Sequence, residues 1–190
     1  PSALKVMGRP RLFVGISAGA VDSTLNNYTA DLAPRSSDSY APPGDVLGRP
    51  NFATAVYCGA AKAAFRGLPI VLGGIEASTR RFAYFDYLKK DIRRSVLLDT
   101  RADILVFGPG EIQALEIAKR LDRGEPLDGI AGTGMLKKGP LNPEYVELPS
   151  FEALKSDRFN LVLQNQDLEK GLGPYQERGF YQKYEEGIVV

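Results

Sequence analysis

Three short, largely apolar runs organise the first two thirds of the chain, and two of them end in glycine loops. Residues 70–72 lead directly into Gly73-Gly74, residues 103–107 lead into Gly108-Pro109-Gly110, and residues 12–16 form the third run. Consecutive apolar residues are typical of parallel strands, which are buried on both faces. We therefore predict three parallel strands that lie adjacent in the order 12–16, 70–72, 103–107, because sequential strands usually neighbour one another.

Helical spacing of apolar residues fills the segments between these runs. One helix is predicted to begin near Asn51, a good N-cap residue, and to end at Gly67. A second is predicted over residues 84–98, with a basic face, and a third between Glu111 and Gly124. The stripe predicted to be buried on the first helix comprises Phe52, Ala55, Val56, Gly59, Ala60 and Ala63, and that on the third comprises Ala114, Ile117, Ala118 and Leu121. Alternating strands and helices predict an open α/β sheet with right-handed crossovers.

The character of the sequence changes near residue 124. Gly, Pro and Lys punctuate residues 124–143, residues 144–148 alternate like a half-buried strand, and Ser150 is placed to cap a short helix. We assign residues 1–125 to an α/β domain that is incomplete at its N-terminus, and residues 126–190 to a connector. The chain starts on Pro1 and stops within an apolar run, so we expect it to be a piece of a longer protein.

Composition narrows the chemistry that this chain can carry. Its 190 residues, 44% of them hydrophobic, are enough for one compact domain with a core. A net charge of +1 gives no support to a general nucleic-acid or membrane-surface role, and no apolar run reaches the length of a membrane span. The absence of histidine and the single cysteine, Cys58, argue against a metal or iron–sulfur site within the chain. A lone cysteine, expected to be a packed residue, also suits the cytoplasm.

The candidate site is the carboxyl edge of the predicted sheet, where ligands bind in open α/β folds. The candidate cofactor-binding residues are Gly73, Gly74, Glu76, Ser78, Gly108, Gly110 and Glu111. Glycine allows close approach of a ligand, Glu76 and Ser78 offer acceptors, and Arg80 and Arg81 can neutralise an anion. Purely structural roles remain open, since glycines also shape strand-to-helix turns and a helix dipole alone favours Glu111. Neither loop carries a dinucleotide or P-loop fingerprint, and no catalytic or metal-binding residue is assigned.

Several blocks of the chain, in the same order, resemble the amino-terminal region of the YgiQ-family radical SAM proteins. The blocks are residues 11–29, Gly48-Arg49-Pro50, residues 69–81, 93–99, 102–111 and 148–152. The resemblance implies a Rossmann-like or flavodoxin-like sheet akin to cobalamin-binding domains. It also implies a following partial barrel whose three-cysteine motif binds a [4Fe-4S] cluster and S-adenosylmethionine. That motif is absent from this chain, and cobalamin ligation is not supported because there is no histidine.

The function that this resemblance implies is that of an accessory domain. Its partner would be the radical SAM core of the same polypeptide, acting on an unknown small-molecule or macromolecular substrate, with no membrane partner. Two alternatives stay open: a stand-alone flavodoxin-like module that binds a small ligand without radical chemistry, and a structural dimerisation domain. The missing strands implied by the resemblance would leave the outer edge of the 12–16 strand unpaired, which is a hazard for association.

Overall fold

The structure, a computed structural model, describes residues 2–6, 8–38, 42, 48–139, 141–171 and 178–190. The helices are α1 (Ser2–Lys5), α2 (Ser23–Asn27), α3 (Ala53–Ala64), α4 (Gly74–Thr79), α5 (Val96–Thr100), α6 (Glu111–Arg123), α7 (Phe151–Ser156) and α8 (Phe159–Gly171). The strands are β1 (Val14–Ser17), β2 (Ile70–Gly73), β3 (Tyr84–Asp86), β4 (Asp91–Arg93), β5 (Ile104–Val106), β6 (Thr133–Gly134), β7 (Leu136–Lys137), β8 (Val146–Glu147), β9 (Phe180–Tyr184) and β10 (Gly187–Val189).

The main sheet has the strand order β1-β2-β5-β6, and its first three strands are parallel. Ile16 lies opposite Leu72, and Leu72 lies opposite Leu105. The predicted order and direction of the three strands are therefore confirmed. β6 adds an antiparallel edge that the sequence did not predict. Within the described residues, no strand pairs with the outer edge of β1.

Helices cover both faces of this sheet, which explains the continuous apolar runs. Leu72 and Leu105 belong to a core shared with α3 and α5, whereas Val71 and Val106 belong to a second core with Ile117 of α6. Successive side chains of a strand point to opposite faces, so both parities have to be apolar. The result is a mixed α/β fold with a largely parallel sheet.

The helix predicted over residues 84–98 is wrong. This segment forms an antiparallel hairpin of β3 and β4, followed by the short helix α5. The Asp86 carboxylate accepts hydrogen bonds from the backbone N–H groups of Leu88 and Lys89 and so stabilises the turn. Helix formation is delayed until Ser95, whose hydroxyl accepts a hydrogen bond from Leu97 N at 3.2 Å and caps α5.

The predictions for the other two helices have different outcomes. α3 begins at Ala53 after Phe52, which has a left-handed backbone, so Asn51 is not its N-cap. Its buried face consists of Ala53, Thr54, Cys58 and Ala61, while Val56 of the predicted stripe is 48% exposed. Small side chains occupy the buried face of α3 because they let the helix lie close to the sheet. The prediction of α6 is confirmed, since the helix ends at Gly124 with a φ of 68°. Of its predicted buried stripe, Ile117 is fully buried and the other three residues are half-buried.

A second sheet, in the order β7-β10-β9-β8, is built from the last third of the chain. The predicted strand at residues 144–148 appears as β8, and Ser150 caps α7 through Ala153 N at 3.2 Å, as predicted. Leu148, Leu154, Tyr184 and Val189 all enter the core that contains Leu72. The described part of this region thus packs on the main sheet. No helix within the described ranges has both the length and the apolar character needed to cross a membrane.

Candidate functional site

A cavity of about 550 Å³ lies between the two sheets, beside the carboxyl end of β5. Phe107, which follows β5, and Arg81, which follows α4, form one side of it. The strand β6, the end of β7 and the end of β10 form the other. Its volume is within the range of roughly 300–1,000 Å³ that is usual for small-molecule sites. The cavity therefore lies at the edge where an open α/β sheet is expected to bind ligands.

Arg81 is the main polar feature of this cavity. Its guanidinium lies over the Phe107 ring, 5.0 Å from the centroid, and Nη1 donates a hydrogen bond of 2.6 Å to the Ser78 carbonyl. Burial lowers the pKa of Arg81 below its ordinary value. No carboxylate among the described residues forms an ion pair with it. Arg81 is thus a partly desolvated cation with most of its N–H donors unused.

The rest of the lining is basic, aromatic or small. Lys137 and Arg178 are the other charged residues, and no Asp or Glu occurs among the described residues that line the cavity. Lys137 is partly neutralised by Asp128, 2.9 Å away. Phe180 and Tyr145 contribute rings to the wall, packed so closely against Gly171 and Gly179 that a Cβ at either glycine would overlap a ring. The cavity therefore combines positively charged side chains with a largely apolar wall.

Beside this cavity, a buried ionic network ties the carboxyl ends of β1 and β2 together. Arg80 is 6% exposed; its Nη2 lies 2.6 Å from Asp22 Oδ2, and its Nη1 lies 3.5 Å from Glu76 Oε1. Glu76 is 1% exposed, and its two carboxylate oxygens accept hydrogen bonds of 2.9 Å from Ser23 N and Thr54 N. These contacts join α2, α3 and α4, so the network holds the fold at this edge.

The predicted site residues after β2 mostly make contacts within the fold. Gly73 ends β2, and Gly74 starts α4 directly, with a φ of 81°. A Cβ on Gly74 would lie 2.5 Å from Ser17 Oγ, so this glycine permits close packing of two strand ends. The hydroxyl of Ser78 donates to the carbonyl of Gly74 at 2.8 Å. Glu76 points into the network, which is the structural role that the sequence also allowed.

The predicted residues after β5 form the turn into α6. Gly108 has a φ of 72° and open space around it, and a Cβ on Gly110 would lie 3.1 Å from Val106 Cγ1. Glu111 is exposed in the first turn of α6. The structure brings both glycine loops to the same sheet edge, because β2 and β5 are neighbours. None of the seven predicted residues is among the described residues that line the cavity.

Sequence reasoning missed the far side of the cavity. Residues 129–137 and 178–190 supply it, and both were assigned to a connector without a site. The density of glycine at positions 129, 132 and 134 is a signal for close backbone approach that points to this wall. The sequence identified Arg81 as a possible partner for an anion. That Arg81 lines a cavity follows from its contacts with segments distant in the sequence, which the sequence analysis did not predict.

The chain lacks the several cysteines that an iron–sulfur cluster needs. It contains one cysteine and no histidine. Cys58 is 1% exposed, as expected for a packed residue, and burial raises the pKa of its thiol, which disfavours the thiolate that binds metals. The described residues include no group of three His, Cys, Asp or Glu side chains arranged to hold a metal ion. The residues of this chain therefore do not fit an iron–sulfur cluster.

Fold and site define the class of protein as an open, largely parallel α/β domain with a cavity at the carboxyl edge of its sheet. Comparison with known families identifies the particular family. The family described as Radical SAM N-terminal matches residues 1–190, and the chain belongs to this family. The resemblance stated from the sequence is confirmed.

Curated relatives agree with this assignment. A UPF0313 protein of Methanosarcina mazei is 38% identical in an alignment that covers 100% of this chain and 37% of the relative. A UPF0313 protein of Geobacter sulfurreducens is 48% identical over 80% of this chain and 26% of the relative. A third, of Thermotoga neapolitana, is 40% identical over 97% of this chain and 33% of the relative. The chain thus spans roughly a third of the length of these relatives. No solved structure matches.

Proposed function

We propose that this chain is the accessory domain of a radical SAM enzyme, and that another part of the same polypeptide holds a [4Fe-4S] cluster and S-adenosylmethionine. The observation that carries the proposal is the match of the Radical SAM N-terminal family over residues 1–190. The matched regions make up 37% and 26% of two curated relatives, which leaves room for a catalytic core in the remainder. A cytoplasmic location goes with this proposal, since the lone thiol suits a reducing compartment.

The accessory role follows from the donor set of this chain. A cluster of this kind needs several thiolates, and this chain offers only the buried Cys58. Its own contribution is the cavity at the carboxyl edge, which would cover the mouth of the active site and shape access for a substrate. The residues that build this cover are Arg81, Phe107, Phe180 and the glycine-rich wall at 129–134.

Anaerobic reconstitution with iron and sulfide tests this division of labour. The 190-residue chain alone should retain no cluster after desalting, as measured by iron content and absorbance. The full-length polypeptide should retain one cluster and cleave S-adenosylmethionine when reduced. A stoichiometric cluster on the 190-residue chain would refute the division, and a full-length polypeptide unable to hold a cluster would refute the radical SAM assignment.

The second candidate is a small-ligand-binding module without radical chemistry. The cavity favours it, since a volume of about 550 Å³ with an unpaired arginine is suited to a ligand in its own right. The two candidates differ in the remainder of the polypeptide: three closely spaced cysteines there support the enzyme, and their absence supports the module.

A further inference from the structure

The cavity between the two sheets presents a cation without a counter-charge. Arg81 uses one donor on the Ser78 carbonyl at 2.6 Å, and its charged plane lies over Phe107. Arg81 is half-buried, and a charge that is partly removed from water is costly to leave without a partner. Among the residues that the structure describes, neither Arg81 nor Arg178 has an acidic partner. The part of the chain that the structure describes therefore supplies no counter-charge at this position.

The neighbouring arginine, Arg80, differs from Arg81 in having carboxylate partners. Arg80, one position earlier, is neutralised by Asp22 at 2.6 Å and Glu76 at 3.5 Å. Among the described residues, two carboxylates face one arginine and none pairs with the next. Arg80 is buried and paired, whereas Arg81 is half-buried and keeps N–H donors without a carboxylate partner among the described residues, so these donors are available to an external acceptor.

The walls around Arg81 determine what kind of anion fits. Phe82, Phe107, Phe180 and Tyr145 bring aromatic rings to the lining. Glycines at positions 171 and 179 are needed for two of these rings to lie where they do, since a Cβ there would overlap them. Aromatic walls favour a planar apolar body, which can stack at ring separations of about 4.5–7 Å. Free phosphate or another small hydrated ion would leave these walls without a partner.

We propose that this cavity binds a small organic anion that combines a carboxylate or phosphate with a planar, apolar body. The anionic group is received by the free N–H groups of Arg81, with Arg178 adding positive charge, and the planar body packs between Phe107 and Phe180. Bidentate contact of guanidinium with carboxylate or phosphate is the strongest recognition that such a site can offer. This site is additional to any iron–sulfur cluster site, because it uses no metal donor.

Matched probes that differ only in charge test the proposal. The anion 1-naphthoate and the neutral 1-naphthalenemethanol have the same ring system, and isothermal titration calorimetry on the full-length polypeptide measures both. Naphthoate should bind at least about tenfold more tightly than the alcohol, a factor equivalent to about 1.4 kcal/mol. In R81Q this preference should disappear while the weak binding of the alcohol persists. R178Q should reduce the preference by a smaller factor.

Two comparisons keep the test decisive. R123Q removes an exposed arginine at the end of α6, outside the cavity, and should leave the preference unchanged. If R81Q does not fold, as judged by circular dichroism, R178Q decides, and an unchanged preference in that variant overturns the proposal. Equal binding of the two probes, or no binding of naphthoate at millimolar concentration, also overturns it. The binding measurement needs no cluster, so its failure and a failure of iron–sulfur reconstitution are separate results.

Discussion

Replacing Glu76 by glutamine tests whether this carboxylate holds the fold. The change keeps the shape of the side chain but turns one oxygen into an NH₂ group. Both oxygens of Glu76 already accept backbone hydrogen bonds, from Ser23 N and Thr54 N at 2.9 Å each. In E76Q one of these N–H groups therefore faces another donor, inside a site that is 1% exposed. Arg80 also loses one of its two carboxylate partners.

The expected loss follows from these contacts. A hydrogen bond to a charged group contributes about 1.5–3 kcal/mol, and a buried donor left unsatisfied costs about 1–3 kcal/mol. Removing one partner of a buried ion pair typically costs about 3–5 kcal/mol. These effects overlap, because the same carboxylate takes part in all of them. We expect E76Q to lower the free energy of unfolding by about 3–5 kcal/mol, a large part of the about 5–15 kcal/mol usual for a domain.

Urea unfolding of the 190-residue chain, followed by circular dichroism, measures this loss. The midpoint should fall while the slope of the transition stays unchanged. The melting temperature should fall by about 6–20 °C, at about 2–4 °C per kcal/mol for a chain of this size.

The control is E111Q, a second carboxylate from the same set of candidate residues. Glu111 is exposed in the first turn of α6, so only its interaction with the helix dipole is lost, about 0.3–1 kcal/mol. Equal, small effects of E76Q and E111Q would refute the structural role of Glu76.

Three further predictions concern the backbone, pH and the sheet edge. G74A should destabilise the chain more than G108A in thermal unfolding: both glycines have positive φ, but a Cβ on Gly74 would lie 2.5 Å from Ser17 Oγ, whereas Gly108 has open space. Equal losses would mean that packing at Gly74 contributes nothing. Burial raises the pKa of Tyr84 to about 12. Unfolding therefore releases its proton above about pH 10, and stability should be full below pH 10 and fall as the pH rises toward 12. Y84F should show a shallower loss of melting temperature over this interval; identical profiles would contradict the assignment. G15K places a charge on the free outer edge of β1 and should reduce self-association of the 190-residue chain in sedimentation velocity. Unchanged association would show that this edge is not the contact.

The positions of the parallel strands were predictable because they depend on residue type over short windows. Residues 70–72 and 104–106 are apolar at every position, and only a strand covered on both faces buries all of them. The hairpin of β3 and β4 was not predictable in this way. Leu88, Ile92 and Val96 have helical spacing, but Asp86 binds the N–H groups of the turn, and Ile92 is 2% exposed in the first core. The local contact of Asp86 and the packing of Ile92 in the core therefore favour a hairpin over the helix that the apolar spacing predicts.

The sequence by itself determined the α/β class, the three parallel strands, the capped helices α6 and α7, and the shortage of cysteine for an iron–sulfur cluster. Each of these depends on local pattern or on residue counts. Only the tertiary structure decided between Arg80 and Arg81, which are neighbours in the sequence with the same chemistry. Asp22, 58 residues away, neutralises Arg80, whereas the wall that faces Arg81 comes from residues 129–137 and 178–190. Which arginine is free depends on contacts between distant segments, and no local pattern encodes those contacts.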